Sequence, residues 1–401
     1  MNKKLYLSAA LCLQLFAAHA QQTVFRARVV DAETEEAMPY VNVYQKDGRG
    51  CVSNMEGDFT IMVDAGDSVR FSFVGYQTCS WKANEIPKVV KMQPATISMG
   101  DVTILSDIAI LMNTYKTLQK EYQLHKEATS PFFNHVTLKN KAQTEMIEAL
   151  LSAESAVNLR KPKLHAGQYW GLSAEGDTLP SLMEKMDMQN LMNIGLMMPD
   201  HPSRENTFTI PFPSKCSPSH LKRLYNISSV PMMHDARLIY RIQLEKKKPE
   251  KDRLLGGTLY VDAESFRPLQ FEGDINMTFY VKREQGKIAI HERVKGLLKL
   301  HINYQSTKGF TEVANLSYNF SVNGLEVRSI LFNVEDYGFT LGKPVPIRNN
   351  ILAAIRWTSP NPQFFREQSI IQRTKEEEDI INQSAMETSL KNEDCDIQVP
   401  N

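Results

Sequence analysis

Apolar and polar residues alternate with a period of two through much of the second half of the chain. Leu238, Tyr240, Ile242 and Leu244 alternate with Arg241, Gln243 and Glu245, and Leu269, Phe271, Ile275, Met277 and Phe279 alternate with Gln270, Glu272, Asp274, Asn276 and Thr278. Leu298, Leu300, Ile302 and Tyr304 do the same with Lys299, His301 and Asn303, as do Leu316, Tyr318, Phe320 and Val322 with Ser317, Asn319 and Ser321. Successive residues of a strand point to opposite faces, so each segment reads as a strand with one apolar and one wet face. Strands in succession with short connections predict an antiparallel meander whose apolar side is covered by helices or by a ligand.

The first hundred residues follow another rhythm. Val24–Val30, Val41–Tyr44, Phe59–Val63 and Val69–Val74 are rich in β-branched and aromatic residues and are separated by Asp47-Gly48, Glu56-Gly57-Asp58 and Ala65-Gly66-Asp67, the spacing of a small β-sandwich. Gly57 and Gly75 stand where tight turns call for a residue without a Cβ. From Ser106 to Gln123 the period lengthens. Ile108, Leu111, Met112, Tyr115 and Leu118 predict a helix with one buried face, started by Ser106 or Asp107. Thr374-Lys375-Glu376-Glu377 is a capping box that opens another helix, and the sequence after Ser384 reads as a loose polar tail.

At the start, Lys3 and Lys4 precede an apolar run from Leu5 to Ala18 and an Ala18-His19-Ala20 cleavage pattern. This is the expected form of a secretory leader. Leu11, before Cys12, is too bulky for a lipidation site, so the expected location is the periplasm, with outer-membrane association left open. The expected organisation is a signal peptide (1–20), a β-sandwich (21–103), an α+β antiparallel-sheet domain (104–360) and a C-terminal helix with a polar tail (361–401).

Composition narrows the partners. Forty-six basic residues balance 46 acidic ones, so no overall field favours nucleic acid; an envelope protein, a glycan or a lipid is the expected partner class. Removal of the leader leaves Cys51, Cys79, Cys216 and Cys395, which permit three pairings. Cys51 and Cys79 fall within one predicted β-domain, where a disulfide between them is open, although four scattered cysteines do not make a disulfide framework.

Val29-Val30-Asp31-Ala32, Met38-Pro39-Tyr40-Val41-Asn42-Val43-Tyr44, Gly50 through Phe59, and Phe71-Ser72-Phe73-Val74-Gly75-Tyr76-Gln77-Thr78 together resemble the carboxypeptidase-D regulatory-like domain. The resemblance implies a transthyretin-like sandwich of the sort found at the start of TonB-dependent receptors and other exported Bacteroidota envelope proteins. Ala27 and Glu35 depart from it, standing where that family usually has glycine. It implies no peptidase, because a catalytic zinc needs three protein ligands, and the His-x-x-Glu pair that begins such a set does not occur here. More weakly, Gly256 to Asp262 followed by Ser265-Phe266-Arg267-Pro268-Leu269 resembles the hairpin of lipoprotein-carrier-like half-barrels, which implies a sheet curved around helices.

The candidates for chemistry are sparse. The histidines show no metal-ligating spacing, and His301 falls on the polar face of its strand. Ser219-His220-Leu221-Lys222 matches S-x-x-K, but without its companion motifs it reads as a loop-to-strand junction; an enzyme would need polar groups converging around His220 or His234-Asp235. Met183, Met186, Met188, Met192, Met197 and Met198, with Leu196, crowd one segment. It reads as a helix buried on the sheet or as a lid over an apolar ligand, with Met183, Met186, Met192 and Leu196 as its contact residues. The sequence thus predicts a mostly β, non-catalytic binding or structural protein of the envelope without cofactor or metal, with a periplasmic lipid or lipoprotein carrier as the alternative.

Overall fold

The computed structural model describes residues 22–64, 66–95, 105–157, 159–173, 182, 217–250, 254–285, 288–322, 324–347, 351–358 and 362–383; the side chains of 22, 277–294 and 362 are outside the description. The leader, the methionine-rich segment with Met183, Met186, Met192 and Leu196, Cys216, Cys395 and the tail after Ser384 lie outside the described residues. The chain forms two compact units, the first from the residues up to Phe73 with Thr78–Gln93 and Ser369–Gln372, the second from the remainder.

The first unit holds two small sheets. Strands β1 (Gln22–Asp31), β4 (Asp58–Asp64) and β7 (Val89–Met92) form one in the order β4-β1-β7; β2 (Asn42–Gln45), β3 (Gly50–Val52), β5 (Ser68–Ser72) and β6 (Cys79–Lys82) form the other in the order β3-β2-β5-β6. Phe59 of the first sheet meets Phe71 of the second edge to face at 5.3 Å, and Phe71 meets Trp81 at 5.4 Å. Phe59 and Phe71 are fully buried with Val29, Val43, Val69 and Val90, each large side chain contributing roughly 1.5–3 kcal/mol on burial. Asn54 and Thr60 are bonded to Gln372, and Ile371 bridges Val52.

The turn chemistry follows the sequence. Gly57 and Gly75 take φ values of 77° and 93°, and a Cβ on Gly57 would lie 2.5 Å from the carbonyl oxygen of Val29. Glu35 keeps the left-handed shape of its turn without being glycine, at φ 60°, a conformation that costs an ordinary residue about 1–2 kcal/mol. The Glu35 amide bonds to the Asp31 carbonyl at 3.0 Å, which holds the turn closed.

Register decides the cysteine question. Cys51 pairs with Val43, Val43 with Phe71, and Phe71 with Cys79. The two cysteines therefore sit three strand spacings apart, about 14 Å at 4.7–4.9 Å per strand, where a disulfide needs Cα atoms within about 7 Å. Both are free thiols; burial drives the Cys51 thiol far up and pushes Cys79 up to about 11. Alkylation of unfolded protein without reductant should label both cysteines, and a Cys51–Cys79 linked peptide in the mass spectrum would refute the register.

The second unit is dominated by one eleven-stranded antiparallel sheet in the order β11-β12-β13-β14-β15-β16-β17-β8-β9-β10-β18. Its strands are β8 (Thr129–Lys139), β9 (Gln143–Glu154), β10 (Arg160–Ser173), β11 (Tyr225–His234), β12 (Arg237–Lys246), β13 (Leu255–Asp262), β14 (Pro268–Gln285), β15 (Ile288–Gln305), β16 (Glu312–Val322), β17 (Leu325–Asn333) and β18 (Val345–Pro346). Two meanders, β8–β10 and β11–β17, join where β17 pairs with β8. Asp235 and Ala236, both at positive φ, turn β11 into β12, as two-residue hairpins require. In the Asp262–Arg267 turn, Asp262 Oδ1 accepts from the Glu264 and Ser265 amides and the Ser265 hydroxyl.

Helix α1 (Asp107–His125) covers part of the apolar face. Ser106 Oγ accepts from the Ala109 amide, and Ile110, Leu111, Tyr115, Leu118 and Tyr122 are buried at helical spacing in the same core as Phe271, Leu300, Ile302 and Leu316. Glu121 on that buried stripe accepts from Arg267 Nε at 2.7 Å and the Thr311 amide at 2.8 Å, so this acid enters the core paired.

Three expectations are corrected. The hairpin at Gly256–Leu269 is present, but the sheet is neither closed nor curled and, among the described residues, few helices accompany it, so the curved, helix-filled half-barrel is not this architecture. The second face is not uniformly wet, since Gln270, His301, Asn303, Asn315 and Ser317 are all 5% exposed or less. The S-x-x-K segment is not a loop-to-strand junction but a short helix, α2 (Pro218–Leu224), capped by Ser217 and running directly into β11.

Candidate functional site

A set of buried charged groups, His135, Glu148, Arg373 and Glu377, gathers where the C-terminal segment meets β8 and β9. His135 and Glu148 are cross-strand partners, on the face opposite Val136 and Ile147. The C-terminal segment begins with α3 (Ile351–Ile355), and to this site it brings α4 (Pro362–Glu367), Gln368, Arg373 and a helix over 375–383, here α5. The predicted capping box starts α5: the Thr374 amide donates to Glu377 Oε2 at 2.8 Å and the Glu377 amide to Thr374 Oγ1 at 3.4 Å.

Glu377 has a second role that the box does not reveal. Its Oε1 lies 3.1 Å from His135 Nε2 and accepts from Thr137 Oγ1 at 2.6 Å, while His135 Nδ1 lies 3.1 Å from Glu148 Oε1. Arg373 grips Glu148 with two parallel bonds, Nε to Oε1 at 2.8 Å and Nη2 to Oε2 at 2.6 Å, and its guanidinium lies 5.8 Å from the ring centre of Trp170. Gln368 Nε2 adds a third donor to Glu148 Oε1 at 3.0 Å.

Both ring nitrogens of His135 face carboxylate oxygens, and only the imidazolium has two N–H donors. The energetics agree. Burial would drive the His135 pKa down, but Glu377 and Glu148 outweigh it and hold it up at about 9. Burial would likewise raise Glu377, yet His135, Thr137 and the Thr374 amide bring it down to about 2. Two cations and two carboxylates thus neutralise one another in a site where Glu148 is wholly buried. His135, Gln368 and Arg373 all aim donors at Glu148, which ties this carboxylate into the set.

A second cluster looks more like chemistry. Ser130 Oγ is 3.0 Å from Ser155 Oγ and 3.0 Å from Lys308 Nζ, and both hydroxyls lie within 3.4 Å of Glu312 Oε2. A serine nucleophile needs a neutral lysine as its base. Burial would lower Lys308, but Glu335 and Glu312 outweigh it and raise its pKa, so it stays an ammonium. Ser130 and Ser155 are themselves buried. The cluster ties β8, the end of β9 and the start of β16 together.

The residues singled out in the sequence are not assembled. His220 lies on α2 before the start of β11, and His234 at the far end of that strand, whose two ends are about 30 Å apart at ~3.4 Å per residue. Ser219 Oγ lies 3.2 Å from Ser217 Oγ, and the Lys222 carbonyl accepts from Lys247. His301 is buried and pushed down to about 4, and it is neutral at pH 7. Among the described residues, no three or more His, Cys, Asp or Glu side chains are placed to hold a metal ion, and no helix is long and apolar enough to cross a membrane. Of the methionine-rich segment only Leu182 is described; its amide donates to Glu145 Oε1 at 2.6 Å.

What sequence reasoning missed was the partnership of Glu148 with Arg373. The available signal was Glu148 within Met146-Ile147-Glu148-Ala149-Leu150-Leu151, since a carboxylate inside an apolar run must find a cation or a set of donors.

Residues 26–104 match the family model of the CarboxypepD_reg-like domain, 79 of 401 residues. The chain therefore contains such a domain, and nothing identifies the second one. None of the curated proteins compared matches the chain.

Proposed function

We propose that this chain is a non-catalytic binding or structural protein of the cell envelope, exported by its N-terminal leader. In this reading the CarboxypepD_reg-like domain makes contact with an envelope protein or glycan, and the large sheet serves as its platform. One observation carries the reading: the groups most able to do chemistry in the second unit, His135, Glu148, Ser130 and Lys308, are bonded to one another or to Arg373, Glu377 and Glu312 in mutually neutralising clusters. Such clusters fix a fold rather than stabilise a transition state, because they are already satisfied in the resting protein.

The lipid-carrier alternative loses its main support with a sheet that is neither closed nor curled, since a carrier of that kind encloses acyl chains in a curved groove. Part of the apolar face is already filled by Leu111, Tyr115 and Leu118 of α1.

The test is native mass spectrometry with lipid extraction and cross-linking on the full chain purified gently from its own envelope. The expected result is a mature chain free of acyl lipid, with cross-links from the 26–104 domain to an envelope protein or glycan. Co-purifying acyl lipid that disappears when Met192 and Leu196 are made polar would overturn the reading in favour of a carrier. Hydrolysis of an ester or peptide panel that is lost in Ser130→Ala would overturn it in favour of an enzyme.

A further inference from the structure

The bonds between residues 373–383 and the sheet are concentrated on a few charged and polar side chains. Arg373 holds Glu148, Glu377 holds His135 and Thr137, and Glu376 holds Lys139 at 2.6 Å. The last pair is half exposed and is worth little. The attachment combines the apolar burial of Ile380 and Ile381, which does not depend on pH, with the buried four-group set, which balances only while His135 carries its proton. We propose that residues 373–383 form a releasable strap, and that deprotonation of His135 opens it while the sheet stays folded, uncovering His135, Glu148 and Trp170 on β8, β9 and β10.

The charges around His135 fix the direction. Glu148 faces it from β9 and Glu377 from α5, and Arg373 reaches it through Glu148. Its other cross-strand neighbour, Ile330 of β17, carries no charge. When the ring loses a proton, one nitrogen becomes an acceptor aimed at a carboxylate oxygen. Two buried carboxylates then share one guanidinium. Opening the strap parts Glu377 from Glu148 and returns both to water at the cost of exposing Ile380 and Ile381, whereas unfolding the sheet would also expose Phe132, Val136, Ile147 and Leu151, which are buried on its other face. The strap is therefore the smaller unit to give way, as local openings generally are. Geometry and charge balance carry this inference; the elevated His135 pKa agrees with it.

The experiment is hydrogen exchange on the full chain between pH 6 and pH 9.5, reading amides of 375–383 against those of β8 and β9 in the same sample, so that the pH dependence of chemical exchange cancels. The strap amides should lose protection at least tenfold relative to the sheet amides as pH rises. In His135→Gln, which carries no ionisable group, that relative change should vanish. In Glu377→Gln, where one carboxylate no longer supports the imidazolium, the loss should begin at lower pH. Strap and sheet amides that lose protection together, or a wild-type ratio that does not change with pH, would overturn the proposal even if neither variant folds.

Discussion

Replacing Glu148 by glutamine should lower the unfolding free energy of the second unit by about 3–5 kcal/mol, the cost of leaving a buried charge without its counterion. Glu148 alone accepts from Arg373 twice, from His135 and from Gln368. The glutamine amide keeps one acceptor oxygen and turns two donors toward a guanidinium and an imidazolium. Arg373 is 9% exposed and His135 5% exposed, so water cannot take the place of the lost charge. The measurement is urea unfolding followed by tryptophan fluorescence, which Trp170 reports beside Arg373. Replacing both members of the bidentate pair with apolar residues, Glu148→Leu with Arg373→Met, should cost much less than Glu148→Gln alone, since removing a buried ion pair together is often close to neutral. If the double variant is the less stable of the two, the uncompensated charge is not the source of the loss.

The same set gives the pH profile of global stability, with its sign fixed by two shifts. Glu377 is lowered from 4.5 to about 2, so its contribution is complete above pH 4.5 and disappears as pH falls toward 2. His135 is raised from 6.5 to about 9, so its contribution is complete below pH 6.5 and disappears as pH rises through 9. These two groups therefore place the plateau between about pH 4.5 and 6.5, and His135→Gln should remove the alkaline limb.

Strands with one apolar face were legible because alternation survives where the two sides differ. β12, β14, β15 and β16 were marked by residues such as Ile242, Phe271, Leu300 and Tyr318. β8 and β9 were not, and the reason is burial on both sides. Phe132, Val136, Ile147 and Leu151 are buried on one face, and Phe133, His135, Met146, Glu148 and Leu150 on the other, which removes the period-two signal. The candidate site lies in this silent stretch. The capping box located α5 from four residues, but local sequence carries no information that Glu377 will meet a histidine 242 residues away. Sheet curvature was unreadable for a similar reason, because one hairpin cannot report a property set by the register of eleven strands.

Glycines inside the sheet carry the other large expected effect. Phe271, fully buried, lies across Gly273 on the same face of β14: a Cβ on Gly273 would sit 2.6 Å from Phe271 Cζ and 2.1 Å from the Gly256 carbonyl oxygen of β13. Across the ladder Gly257 pairs with Gly273 at φ 148°, and a Cβ there would lie 2.1 Å from the Glu272 carbonyl oxygen. The close approach of β13 and β14 depends on these side-chain-free positions, and the aromatic ring fills the space that they leave. Phe271→Ala should therefore cost about 3–5 kcal/mol through the cavity and lost burial. Gly273→Ala should cost about 3 kcal/mol, because a methyl group meets the Gly256 backbone oxygen as well as the buried Phe271 ring. Gly309→Ala serves as the control: its φ is also positive, at 81°, but no atom lies within 4 Å of the added Cβ, so its cost is confined to backbone strain of about 1–2 kcal/mol. Equilibrium unfolding of the three variants separates the effects, and equal losses for Gly273→Ala and Gly309→Ala would mean that strand approach at Gly273 is not constrained as described.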